Sequence, residues 1–289
     1  MSPLYFENAD INLLKAYDYS TVKEAFDYIT NIPGIQFGFP QGGCQQRAHI
    51  MSVILSRMFN IEHCKVWLFS PAALNLFDNR TLNIADPNGL TENNSIEWNF
   101  HVVPVIRTGT GNATELMVTD PSLQKWKAFT LNEWFLNINN SNISKYTFVL
   151  PDKYFFNCSY IDNALTSVFD GSFFDFDELV KDDLTMEKGL ALNDMSMCIY
   201  HKYIQPLQKH FDTTEIQKLE DLTAIFGNAT AVDLLFSQNR SGNTINTMHR
   251  YVITNYGDII KEARTLFYER LAYWTDYTNE LFMDKTQDF

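Results

Sequence analysis

Apolar and polar positions follow two rhythms along this chain, and the change falls near residue 151. Before it, short apolar runs rich in β-branched and aromatic residues read as strands: CKVWLFSP (64–71), NFHVVPVIRT (99–108) and ATELMVTDPSL (113–123). Turns bearing asparagine and glycine separate them. Beyond it, apolar residues recur every three or four positions. TTEIQKLEDLTAIFG opens with a capping box, Thr214 to Gln217, and stops at Gly227. Residues 243–283 carry Ile245, Met248, Val252, Ile259, Ile260, Ala263 and Leu266 at helical intervals. The pattern predicts an α+β region over 1–150, led by a helix at STVKEAFDYI, and a mostly helical region over 151–289. NINNSNIS, 137–144, reads as a surface loop near the boundary, and there is no internal repeat.

One helix inside the first region changes the picture. QRAHIMSVILSRMF (46–59) puts Ala48, Met51, Ile54, Leu55 and Met58 on one face, and Pro40, Gly42 and Gly43 mark the loop before it. Cys44 therefore falls at the helix start, within a residue. Unpaired N–H groups and the positive end of the dipole there favour a thiolate over a thiol whose ordinary pKa is about 8.5. The same N–H groups can donate to an oxyanion. Taken alone, such a cysteine is more often a small buried hydrophobe than a nucleophile.

The strands supply partners for it. NFHVVPVIRT and ATELMVTDPSL flank GTGN, a turn that fits a β-hairpin. A turn centred between Thr110 and Gly111 puts His101 directly opposite Asp120, on one face of the ribbon, with Cβ atoms about 5 Å apart. A slip of one residue would spoil that opposition. Singly, His101 is an ordinary strand histidine and Asp120-Pro121 a common turn opener. Together with a cysteine at a helix start, they fit the logic of a nucleophile, a base and an orienting carboxylate.

Composition removes other classes. The net charge of −13 disfavours nucleic acid and anionic membrane surfaces. Four cysteines, at 44, 64, 158 and 198, form neither a disulfide framework nor a CxxC pair, and the 289 residues can build a core without them. CIYHKYIQPLQKH holds Cys198, His201 and His210 without metal-ligand spacing, and GTGN and NRSGN are too short for phosphate loops. No cofactor or metal is called for. The first residues show no secretory signal, so a cytoplasmic location is expected, with secretion by another route left open. No stretch approaches a membrane span of about 18 apolar residues, and the oligomeric state is open.

Three blocks, GGCQQRAH, FHVVPVI and VTDPSL, occur in this order over residues 35–125 and resemble the protein-glutaminase (protein-glutamine deamidase) family. The resemblance implies a papain- and transglutaminase-like α+β catalytic core with an antiparallel sheet and a nucleophile-bearing helix. It implies Cys44 as nucleophile, His101 as general base and acid, and Asp120 as the orienting carboxylate. The implied activity is deamidation of glutamine side chains in a protein or peptide through a thioester, with release of ammonia. Gln36 and Gln41, in the loop before Cys44, are candidates for a second oxyanion donor or surface residues. Arg47 is expected to tie down that loop, and His49 to pack on the helix or support the site. Trp67, Trp98 and Phe100 are candidate pocket walls or core. A transglutaminase-like acyltransferase, a cysteine peptidase and a biosynthetic module serving a tethered partner stay open, as does a recognition role for 151–289.

Overall fold

The computed structural model describes residues 2–3, 9–75, 77–91, 93–110, 113–151, 186–209, 212–227, 232 and 247–283. The expectations placed on Cys158, His210, Ile245 and NRSGN lie outside the described residues. The fold is α+β. A six-stranded sheet has the order β1 (Ser2–Pro3), β8 (Lys145–Val149), β2 (Cys64–Phe69), β5 (Phe100–Thr110), β6 (Ala113–Val118) and β7 (Phe129–Thr130). Its neighbours are antiparallel apart from the β1–β8 pair. The segment between β2 and β5 adds a separate two-stranded sheet, β3 (Leu82–Ala85) with β4 (Ser95–Trp98).

β2 is buried along its whole length, so both of its faces are apolar and each seeds a core. Trp67 and Phe69 point to one side and pack with α1 (Tyr19–Thr30) and α2 (Cys44–Arg57). The same cluster takes in α5 (Met186–Ile199), α7 (Thr213–Phe226), and the C-terminal helices α8 (Thr247–Asn255) and α9 (Gly257–Met283). Cys64, Val66 and Leu68 point to the other side, where Val103, Val105, Val118 and α4 (Leu131–Leu136) meet them. The remaining helices, α3 (Pro71–Leu74) and α6 (Gln205–Leu207), are short, and a π-helical turn, Tyr200–Ile204, leads into α6. Among the described residues, no helix is long and apolar enough to cross a membrane.

Several expectations need correction. α7 is capped by Asp212, whose carboxylate accepts from Thr214 N–H, and not by a Thr214 to Gln217 box. The sequence around 137–144 is less loop-like than its asparagines imply, because Ser141–Ile143 forms a 3₁₀ turn with Ser141 buried. Most consequential is the hairpin register. β5 and β6 pair Thr110 with Ala113 and Val105 with Val118, so the turn centre lies one residue later than expected. His101 and Asp120 are therefore offset by two positions and not directly opposed. An offset of two preserves the face, whereas an offset of one would have reversed it.

Candidate active site

Cys44 is the first residue of α2, which is why its N–H has no acceptor within the helix. Gly43 precedes it in a left-handed conformation, φ 75°, and a Cβ there would stand 1.8 Å from the Asn193 amide nitrogen on α5. Only glycine satisfies both the backbone angle and the approach. The thiol is 8% exposed, and its own hydrogen bond goes to Gln45 Oε1 at 3.4 Å.

His101 is the second residue of β5, and Asp120 begins a turn just after β6. The imidazole Nε2 and Asp120 Oδ2 are 2.8 Å apart, with the two residues 1% and 0% exposed. Asp120 is fixed from several sides. Its Oδ1 accepts from Ser122 N–H at 3.1 Å, and its Oδ2 also accepts from Trp134 Nε1 at 2.8 Å. Asp120 thus opens a turn and also pairs with the imidazole.

Electrostatics follow from this packing. Burial pulls the His101 pKa down, but the Asp120 charge and hydrogen bond, helped by Cys44, outweigh it and carry it up to about 9. For Asp120, burial pushes upward and is overcome by His101, the Trp134 donor and the Arg47 charge, leaving it below the ordinary range. Among the described residues, His101 Nδ1 has no hydrogen-bond partner of ordinary geometry. Cys44 raises the ring's pKa through a hydrogen-bonding contribution and its charge, while the thiol also donates to Gln45 Oε1.

The other predicted residues separate into groups. Arg47 is buried, and its Nη1 donates to Phe39 O at 3.3 Å and Gly42 O at 2.7 Å, so it ties down the loop before Cys44 as expected. Burial lowers its pKa against the opposing pull of Cys44 and Asp120. Trp98 stacks on the His101 ring, centroids 4.5 Å apart and planes at 10°, and donates Nε1 to Pro40 O. Buried Trp67 and half-buried Phe100 pack on each other on the sheet face opposite Trp98, in the cluster that also takes in Cys44.

His49 turns away from the site toward Lys65, whose Nζ is 3.0 Å from its Nδ1. Burial first, then the charges of Lys65 and His63, holds it well below the ordinary histidine range. Neither glutamine has a free amide. Gln36 donates to Asp194 Oδ1 on α5, and Gln41 donates to Asp86 Oδ1, each at 2.9 Å. Asp86 in turn accepts from Asn88, Leu90 and Thr91 N–H groups, so the ADPNGLTENNS insert is stitched to the nucleophile loop.

Sequence reasoning missed Trp134, which donates to Asp120 and lies nearly parallel to the His101 ring at 5.8 Å. A signal was present, because TLNE just before it forms a full capping box, Thr130 with Glu133. Which side the indole faces was not readable. Among the described residues, no cluster of His, Cys, Asp and Glu could hold a metal ion.

A cysteine-headed helix laid against a largely antiparallel sheet that presents a paired histidine and aspartate makes an α+β core. Within it, residues 22–138, less than half of the chain, match the family model described as glutaminase. The resemblance carried by the three sequence blocks is borne out over that region. No curated protein matches the chain. A solved mutant of pro-protein-glutaminase is similar at 22% identity and TM-score 0.39, covering 52% of this chain and 54% of its own. The protein-glutaminase of Chryseobacterium proteolyticum is similar at 18% identity and TM-score 0.42, covering 63% of this chain and 89% of its own. The chain thus spans about half the length of the first of these.

Proposed function

We propose that the protein is a cysteine-dependent amidohydrolase that deamidates glutamine side chains of a protein or peptide. The observation that carries the reading is the buried His101–Asp120 pair, 2.8 Å apart, beside a cysteine at a helix start. The glutaminase match over 22–138 supports the substrate class.

In this reading the Cys44 thiolate attacks the glutamine amide carbon. A carbon–sulfur bond forms and the carbonyl electron pair moves to oxygen, where the Cys44 N–H meets it. The His101 imidazolium gives its proton to the amide nitrogen, the carbon–nitrogen bond breaks, and ammonia leaves; without that proton the leaving group would be too basic. Water then attacks the thioester while His101 takes its proton, and the carbon–sulfur bond breaks to leave glutamate and free Cys44. Asp120 holds the ring's orientation and stabilises its charged form. We assign to the helices beyond residue 186 the presentation of the substrate, because α5 stands against Gly43 at the nucleophile.

Incubation with a glutamine-containing peptide tests the reading. Ammonia and a one-dalton gain on the glutamine fragment, both lost in Cys44→Ala, are expected. Chain cleavage would make the protein a peptidase, a cross-linked product an acyltransferase, and silence over a broad peptide panel would sink the deamidase reading.

A further inference from the structure

Arg47 carries a buried charge beside the nucleophile. The residue is 2% exposed and lies in the first turn of α2, three positions after Cys44 and so on the same side of the helix. Its Nη1 reaches back past the helix start to the carbonyls of Phe39 and Gly42, while Nη2 has no hydrogen-bond partner. Among the described residues, no carboxylate stands within ion-pair distance of the guanidinium.

A cation in that place is opposed twice. Burial strips its water, and the free N–H groups of a helix start favour anions. Two carbonyls offset part of this, yet tying down a loop is a task that an uncharged donor performs as well. The place calls for an anion. The charges that act on Arg47 are those of Cys44 and then Asp120, and Asp120 is already committed to His101 at 2.8 Å. With the imidazole charged, the buried set holds Arg47 and His101 against a single carboxylate, and it reaches neutrality when the sulfur is a thiolate. We infer that Arg47 is a positioning residue whose charge stabilises the Cys44 thiolate, so that one side chain both holds the nucleophile loop and keeps the sulfur ready to attack. Arg47 exchanges no proton and forms no covalent bond. This role deepens the deamidase reading and rests on Cys44 as its nucleophile.

Alkylation by iodoacetamide tests the role without glutamine. The thiolate displaces iodide, a carbon–sulfur bond forms, and peptide mass mapping reads the product at Cys44 apart from the other cysteines. Arg47→Gln keeps a donor and loses the charge, whereas Arg47→Lys keeps the charge and loses the fork that reaches two carbonyls. At pH 7 the glutamine variant is expected to react at least about tenfold more slowly than wild type, the lower end of what one opposite charge nearby does to an ionisation. The lysine variant is expected to keep most of the wild-type rate. At pH 10, where a thiol ionises without help, the three rates are expected to converge. Arg47→Met, which fills the volume without a charge, takes the place of the glutamine variant if that protein does not fold. An uncharged variant that matches wild type at pH 7, a deficit that persists at pH 10, or a lysine variant as slow as the uncharged one overturns the inference and leaves Arg47 as a loop tie alone. Ammonia release from a glutamine peptide is followed alongside. Alkylation that depends on residue 47 as expected, in a wild-type protein that releases no ammonia, removes the deamidase reading and leaves the Arg47 assignment standing.

Discussion

Replacing Asp120 by asparagine probes the element on which the site depends. The wild-type imidazole is held at about 9, where an ordinary histidine titrates at 6.5. At about 1.4 kcal/mol per pH unit, folding favours the charged ring by about 3 kcal/mol. The ring is fully buried, so solvent screening takes little of this away. A raised pKa contributes stability that is fully present below pH 6.5 and is lost as pH climbs through 9. In Asp120→Asn the opposing charge is gone and burial is opposed by Cys44 alone, which lowers the His101 pKa. Urea denaturation in steps from pH 6 to pH 10 reads the difference. The wild type is expected to lose about 3 kcal/mol across that window beyond whatever the variant loses, and deamidation by the variant to fall on the order of 10⁴-fold. Parallel stability curves for the two proteins would refute the reasoning, because the pair would then be doing nothing to the charge on the ring.

Three further outcomes follow from contacts around it. Gly43→Ala forces a side chain into φ 75° and into the Asn193 amide; a loss of at least about 1–2 kcal/mol is expected, read by thermal melting. Trp134→Phe keeps an aromatic side chain but removes a donor from a buried carboxylate, so stability should fall by at least about 1.5–3 kcal/mol. The freed Asp120 then holds the imidazole charged to higher pH, which a urea series at alkaline pH detects. Asp86→Ala leaves three N–H groups of the 86–91 turn unpaired and releases Gln41; about 3 kcal/mol or more and protease cleavage within 86–94 are expected.

Local chemistry made part of this protein legible without coordinates. The helix start at Cys44 follows from glycines that break the chain and an apolar face that begins just after them, and both are sequence-neighbour effects. The three β-runs, the leading helix and the long C-terminal helices were readable for the same reason, since periodicity reports which face of an element is buried. The hairpin was readable as a hairpin, and its register only to within two positions, because glycine in a short loop allows the turn centre to shift.

Tertiary structure alone decided what meets across long separations. Nothing in the periodicity says that His49 belongs to Lys65, that Gln36 belongs to Asp194, or that Trp67 lies in the core while Trp98 lies on the imidazole. An aromatic residue in a strand buries well on either face, and only the packing of the neighbouring layers selects one. The same holds for Asn193, whose position against Gly43 arises from α5 settling on α2. Sequence fixes the chemistry each residue can offer and the element that carries it; the folding of separate layers against one sheet sets which of those groups are neighbours.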